Sequence, residues 1–241
     1  MLAMEIDTSE FERKMKILAE MPDTIRKSVV GALSDTVDDL HTRQKIEMKA
    51  VFNNPTGYVV NGIKKRYPGG RMGQGSTKAG TYFEFFPQGK SPEDIVKPHV
   101  FGGSRSPKRS ERRLGQIGVI NGQFAIMGDN YPRNSSGDIS GARYTEMLSN
   151  LNALSETARS QMPKGRQKNR KGVSFYVVKR NGIPIAIAER RGKDVRIMLA
   201  FARKVNYKKR YDYFGVGEKQ VAYSLPRHFN RIINRYLARI D

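Results

Sequence analysis

Apolar residues recur at helical intervals along two long stretches of the chain. In the first, Ile25, Val29, Leu33, Val37, Leu40, Gln44, Met48 and Val51 follow one face, and Pro22 suits the first turn. An amphipathic helix is predicted over 22–52, about 45 Å long if unbroken. The breaker cluster Asn53-Asn54-Pro55-Thr56-Gly57 ends it. The second stretch lies at the C-terminus, where Phe229, Ile232, Ile233, Tyr236, Leu237 and Ile240 predict a helix starting near Leu225. A third helix is predicted over 142–159, with Tyr144, Met147, Leu148, Leu151 and Leu154 on one side. A shorter one is expected over 9–19, where Ser9 and Glu12 have capping-box spacing. Residues 92–96 and 107–114 carry signals for helical turns.

Period-two alternation and β-branched or aromatic runs predict the strands. Residues 81–86 (TYFEFF) read as one strand, and 117–120 with 123–127 as a hairpin around Asn121-Gly122. Residues 173–179, 183–189 and 195–202 read as an antiparallel meander, joined at Asn181-Gly182 and Arg191-Gly192. Two excursions break the pattern: the glycine-rich stretch 64–80 and the basic stretch 163–172. The expectation is an α+β fold, in which a long N-terminal amphipathic helix and a C-terminal helix pack on a mainly antiparallel β-sheet with long basic loops. One domain over 1–241 is expected, with 163–172 as the best place for an internal boundary. No internal repeat is evident.

Charge changes this picture. The 241 residues hold 44 Lys and Arg against 23 Asp and Glu, a formal net charge of +21. Residues 1–50 contribute −2, so the remainder carries +23. Such a field favours an anionic neighbour: nucleic acid, an anionic membrane surface or an acidic protein, and composition does not choose among them. With no cysteine, disulfides and thiolate metal sites are excluded. No run approaches the roughly 20 apolar residues of a spanning helix, so a soluble chain, intracellular during synthesis, is expected.

Catalytic patterns are wanting. His41, His99 and His228 are far apart in sequence and none sits in a metal-ligand frame. Asp35, Asp38 and Asp39 share a helix neighbourhood, most simply on its solvated face. There is no G-x-S-x-G elbow, and the glycines at 69, 70, 73 and 75 are not followed by the Lys-Ser/Thr of a phosphate loop. No enzyme, cofactor or metal is expected. The remaining signal is basic: Lys64, Lys65, Arg66 and Arg71; Arg105, Lys108, Arg109, Arg112 and Arg113; Lys164, Arg166, Lys168, Arg170 and Lys171; Lys208, Lys209 and Arg210. These are the candidate contacts for a partner or for DNA. In the last group Tyr207, Tyr211 and Tyr213 interleave with cations, either as stacking platforms for bases or as packed rings beside a wet face. The second is the simpler reading. The group from Lys164 to Lys171 has no apolar residue and reads as an arm seeking an anionic surface.

Several segments together resemble the minor tail protein Z and tail-completion proteins of tailed phages. They are the long N-terminal helix closed by NNPTGYVVNGI, PHVFGGSR with a basic helical turn, GDISGARYTEMLSNL, and NGIPIAIAER followed by IMLAFARKVNYKKRYDYF and a final helix. The resemblance covers most of the chain. It implies an α+β structural virion protein without enzymatic activity, assembled as a ring, a hexamer, at the neck or head-proximal tail end. Its expected partners are its own copies, neighbouring neck, portal-side adaptor or tail proteins, and genomic DNA in the lumen, with no membrane. Its expected location is the virion, and the host cytoplasm during assembly. The alternative is a nucleic-acid-binding protein without sequence preference.

Overall fold

The computed structural model describes residues 3–5, 23–68, 79–86, 91–154 and 172–238. The helix expected over 9–19 lies outside these residues, as do 69–78 and 155–171. The fold is α+β, and among the described residues every strand pairing is antiparallel. The chain divides into two compact units, Met1–Gly102 with Lys208–Asp241 and Gly103–Tyr207.

In the first unit, helix α1 (Asp23–Val51) packs along helix α6 (Tyr213–Leu237), and both meet a three-stranded sheet. The sheet order is β1 (Ala3–Glu5), β3 (Gly80–Phe83), β2 (Ile63–Arg66). The predicted stripe of α1 is the buried one: Val29, Leu33, Val37, Leu40, Gln44 and Met48 are all inaccessible or nearly so. Gln44 interrupts the apolar stripe and is fully satisfied there. Its Oε1 accepts from Thr81 Oγ1 at 2.7 Å, and its Nε2 donates to the Tyr213 carbonyl at 3.4 Å. The Tyr211 hydroxyl in turn donates to the Gln44 carbonyl at 3.0 Å. A buried amide lacking such partners would cost about 1–3 kcal/mol.

Four expectations for this unit are corrected. Lys64, Lys65 and Arg66 lie not in a loop but in β2, whose edge position suits charged side chains and whose Ile63 is buried against α1. Residues 84–86 lie beyond β3, which ends at Phe83. Helix α6 starts at Tyr213, well before Leu225. Asp212 caps it by accepting from the Gly215 N–H at 3.4 Å, and Pro226 lies inside it. Helix propensity loses here to packing: a Cβ on Gly217 would lie 2.0 Å from Met4 Sδ and 3.2 Å from Gln44 Nε2, so only glycine admits this close approach. Helix α2 (Gly57–Val60) is a single turn after the breaker cluster, and α3 (Pro92–Phe101) begins with a Ser91–Asp94 capping box and runs past Val96 through Pro98.

The second unit is built on a four-stranded sheet in the order β4 (Phe124–Met127), β7 (Asp194–Ala202), β6 (Ile183–Arg191), β5 (Val173–Arg180). The meander has the turns its sequence predicts. Asn181 and Gly182 both have positive φ, 51° and 78°, as a type I′ turn requires. Gly192, at φ 60°, takes the first central position of the next turn. Helices α4 (Arg109–Gln116) and α5 (Gly141–Asn150) cover one sheet face, enclosing Leu114, Met147, Leu148, Phe175, Ile187, Met198 and Leu199.

Here too the pattern misplaces two ends. The stretch 117–120 does not pair with 123–127. The N–H groups of Val119 and Ile120 bond back to the Leu114 carbonyl, closing α4, and β4 pairs with β7 instead. Helix α5 stops at Asn150 rather than 159, because Asn152 adopts left-handed φ 56°. The Asn152 N–H then reaches the Ser149 carbonyl at 3.1 Å and the Ala153 N–H the Leu148 carbonyl at 2.7 Å, a Schellman stop with Ala153 and Leu148 buried.

Candidate functional site

The basic groups part into engaged and exposed. Arg105 is engaged: its guanidinium meets Glu111 through Nη1–Oε2 at 2.8 Å and Nη2–Oε1 at 2.6 Å, donates from Nε to the Tyr207 hydroxyl at 3.2 Å, and lies over the Phe124 ring. Burial pushes the Glu111 carboxyl up, but hydrogen bonds from Arg105 and from the backbone N–H groups of Lys108 and Ala125 outweigh it and hold it below the ordinary range. Lys108 precedes α4, and burial with the Arg105 charge holds its ammonium down. Arg109 and Arg112 are exposed on α4, and Arg113 is half-buried.

In the first unit β2 brings Lys64 and Lys65 beside the C-terminal half of α1. Burial and the charges of Lys49, Lys64 and Lys65 lower the Lys45 ammonium, so four lysines share one field. Lys64 contacts Glu84 at 3.3 Å and Lys65 contacts Asp38 at 2.6 Å. The Arg66 guanidinium lies 5.1 Å from the Tyr82 ring centre. Lys45 and Lys49 escaped the sequence reading because they sit in the acidic first 50 residues. Their i,i+4 spacing on the polar side of α1 was the available signal.

Lys208, Lys209 and Arg210 are exposed, whereas Tyr211 and Tyr213 are completely buried, so the interleaved tyrosines are packing residues. Arg210 stacks 4.5 Å from the centre of the Phe52 ring and donates from Nε to His99 Nδ1 at 3.1 Å. Arg71 and the group Lys164, Arg166, Lys168, Arg170 and Lys171 lie outside the described residues.

Of the three aspartates of α1, Asp38 turns to β2, whereas Asp35 and Asp39 both approach His228, at 3.9 and 2.8 Å. Asp38 accepts from Lys65 and Tyr67, Asp39 from Ser224 at 2.8 Å and bonds His228 Nε2 at 2.8 Å, and Asp35 pairs with Arg231. Among the described residues no group of three or more His, Asp or Glu could hold a metal, and no helix is long and apolar enough to cross a membrane. Ser224 bonds Asp39 rather than His228, so this trio lacks the nucleophile–base contact of a hydrolase.

One surface had no counterpart in the sequence reading. The face of the four-stranded sheet opposite its core carries the cross-strand rows Tyr176–Ala188–Ile197 and Val178–Ala186–Ala200–Ile126. Ile126, Tyr176 and Ile197, at the ends of these rows, are 46, 39 and 40% exposed, whereas Ala186 and Ala188 between them are buried. Comparison with known protein families, curated proteins and solved structures returns no match.

Proposed function

We propose that the chain is a structural virion protein of a tailed phage, forming a ring at the neck or head-proximal tail end and completing the tail for joining to the head. The observation that supports this best is the exposed apolar sheet face around Tyr176, Ile197 and Ile126, which a ring would bury between copies. The tail-completion resemblance points the same way. Native mass measurement of the purified chain tests it. A closed oligomer is expected, with Ile197→Glu giving a monomer whose circular dichroism spectrum stays that of the folded chain, since Ile197 is 40% exposed and lies outside the buried core cluster. A monomer at every concentration, together with normal head-to-tail joining by phage lacking the protein, overturns the reading.

A second reading, binding of nucleic acid without sequence preference, draws on the shared field of Lys45, Lys49, Lys64 and Lys65. Its signature is a steep loss of affinity with salt. Replacing Lys45, Lys49 and Lys64 by Gln should lower the slope of log K against log salt by about 3, at about 0.9 per phosphate contact. A slope that does not change overturns it.

A further inference from the structure

The second unit holds a cavity of about 400 Å³ walled by Tyr131, Pro132 and Ile139, beside a closed network of charges. At its floor Arg143 is held on several sides at once. It donates from Nε to Glu189 Oε2 at 3.0 Å and to the Tyr131 hydroxyl at 3.1 Å, with further bonds from its terminal nitrogens to Glu189 and Glu146. Its ring-face contact is Phe175, 5.1 Å away. Tyr131 donates to Glu189, and burial beside that carboxylate pushes its hydroxyl up to about 12. The floor is therefore held from several sides, with two carboxylates on the one arginine.

The rim is different. Arg133, Arg191 and Arg196 line the same cavity and are exposed. Arg191 reaches Glu189 only at 3.7 Å, with its side chain 63% exposed. Among the described residues Arg133 and Arg196 have no ion-pair partner. Three guanidinium forks thus face one concave space, and of the three only Arg191 reaches a carboxylate of its floor. Guanidinium forks match a carboxylate or phosphate oxygen pair.

We infer that this cavity is a docking site for a carboxylate side chain on an acidic segment of a protein partner, gripped by Arg133, Arg191 and Arg196. Charge selects the carboxylate over a phosphodiester run. Glu189 and Asp194 also line the cavity, so its four arginines leave an excess of only two, and Glu146 on Arg143 lowers that further. One carboxylate satisfies this excess, whereas successive phosphates would meet Asp194. Shape agrees: exposed Pro132 offers apolar contact to a residue flanking the acidic one, and a duplex is too broad to enter a cavity of this size. The inference stands apart from the assembly reading, since a monomer would bind equally.

The test uses the whole chain and a fluorescent peptide of alternating glutamate and leucine, blocked at both ends, followed by anisotropy at about 0.15 M salt. Arg133→Gln/Arg196→Gln should weaken binding by about tenfold or more, the scale of losing a charge-assisted hydrogen bond. Lys179→Gln/Arg180→Gln removes the same charge at an exposed turn of the same unit and should change binding by less than about twofold. All four side chains are exposed, and thermal melting checks that each variant folds. Equal weakening by the two variants overturns the proposal in favour of bulk charge. Absence of binding to the unaltered chain at millimolar peptide also overturns it. So does tighter binding of single-stranded oligothymidine that the same Arg133/Arg196 variant abolishes, which would make the cavity a nucleic-acid site.

Discussion

Arg105 and Glu111 form a two-point ion pair in which the arginine side chain is 7% exposed and the carboxylate not at all. The sequence places Arg105 in a run of basic residues, yet its charge is directed inward. Removing either partner strands a buried charge.

Arg105→Ala should therefore destabilise the second unit by about 3–5 kcal/mol, whereas Arg109→Ala and Arg112→Ala, exposed on the helix α4 that carries Glu111, should each cost under about 0.5 kcal/mol. Urea denaturation of the three variants checks the contrast. Because Glu111 is held below the ordinary carboxylate range in the fold, its stabilisation is complete above the ordinary glutamate range and is lost as pH falls through the lowered value.

His99 gives a pH signature to the first unit. Burial, and then the charge of Arg210, push its imidazole down to about 4 from an ordinary 6.5. Between those values the unfolded chain holds a proton that the folded chain lacks, so stability falls as pH drops from 6.5 to 4 and levels off below. The loss is at most about 3 kcal/mol. Melting temperature against pH should show that decline, and His99→Gln should flatten it.

Gly217 sits where helix α6 comes closest to Met4 and Gln44. Gly217→Ala should destabilise by about 1–3 kcal/mol through overpacking, despite alanine's better helix propensity. Adding Met4→Ala removes the obstructing sulfur and should recover part of the loss. Denaturation of the single and double variants measures that coupling.

Asn152 supplies the left-handed residue that stops α5. Asn152→Ala should cost about 1 kcal/mol, whereas Asn152→Gly should be neutral or slightly stabilising. Thermal melting of the two variants distinguishes this from a side-chain role, which both would abolish.

Elements whose signal is local were legible in the sequence. Helix α1 shows its buried stripe because one face meets the core along its length, and the β5–β6–β7 meander shows itself through Asn181-Gly182 and Gly192. What escaped depends on distant neighbours. The first turns of α6 contain Gly215 and Gly217, which read as breakers until Met4 and Gln44 are seen against them. Strand β2 is basic because it is an edge, and Asn152 ends α5 within an otherwise helical pattern. The site behaved likewise. Composition counts Arg105 with the free cations, since nothing local marks Glu111 as its partner. Arg133, Arg143, Arg191 and Arg196 are scattered in sequence and converge only when β6 and β7 pair beside α5.

The two ends of the second unit are tied to each other. Gly103 and Tyr207 exchange both backbone hydrogen bonds, N–H to carbonyl at 3.0 and 2.8 Å. The first unit is continuous in space but not in sequence, and the second is inserted in it between Gly102 and Lys208. Ends that lie side by side are the geometry from which insertion and exchange of a segment between scaffolds start. Natural variation in such a chain is free to treat the segment as a cassette, changing its cavity and its sheet face while the paired long helices stay the same.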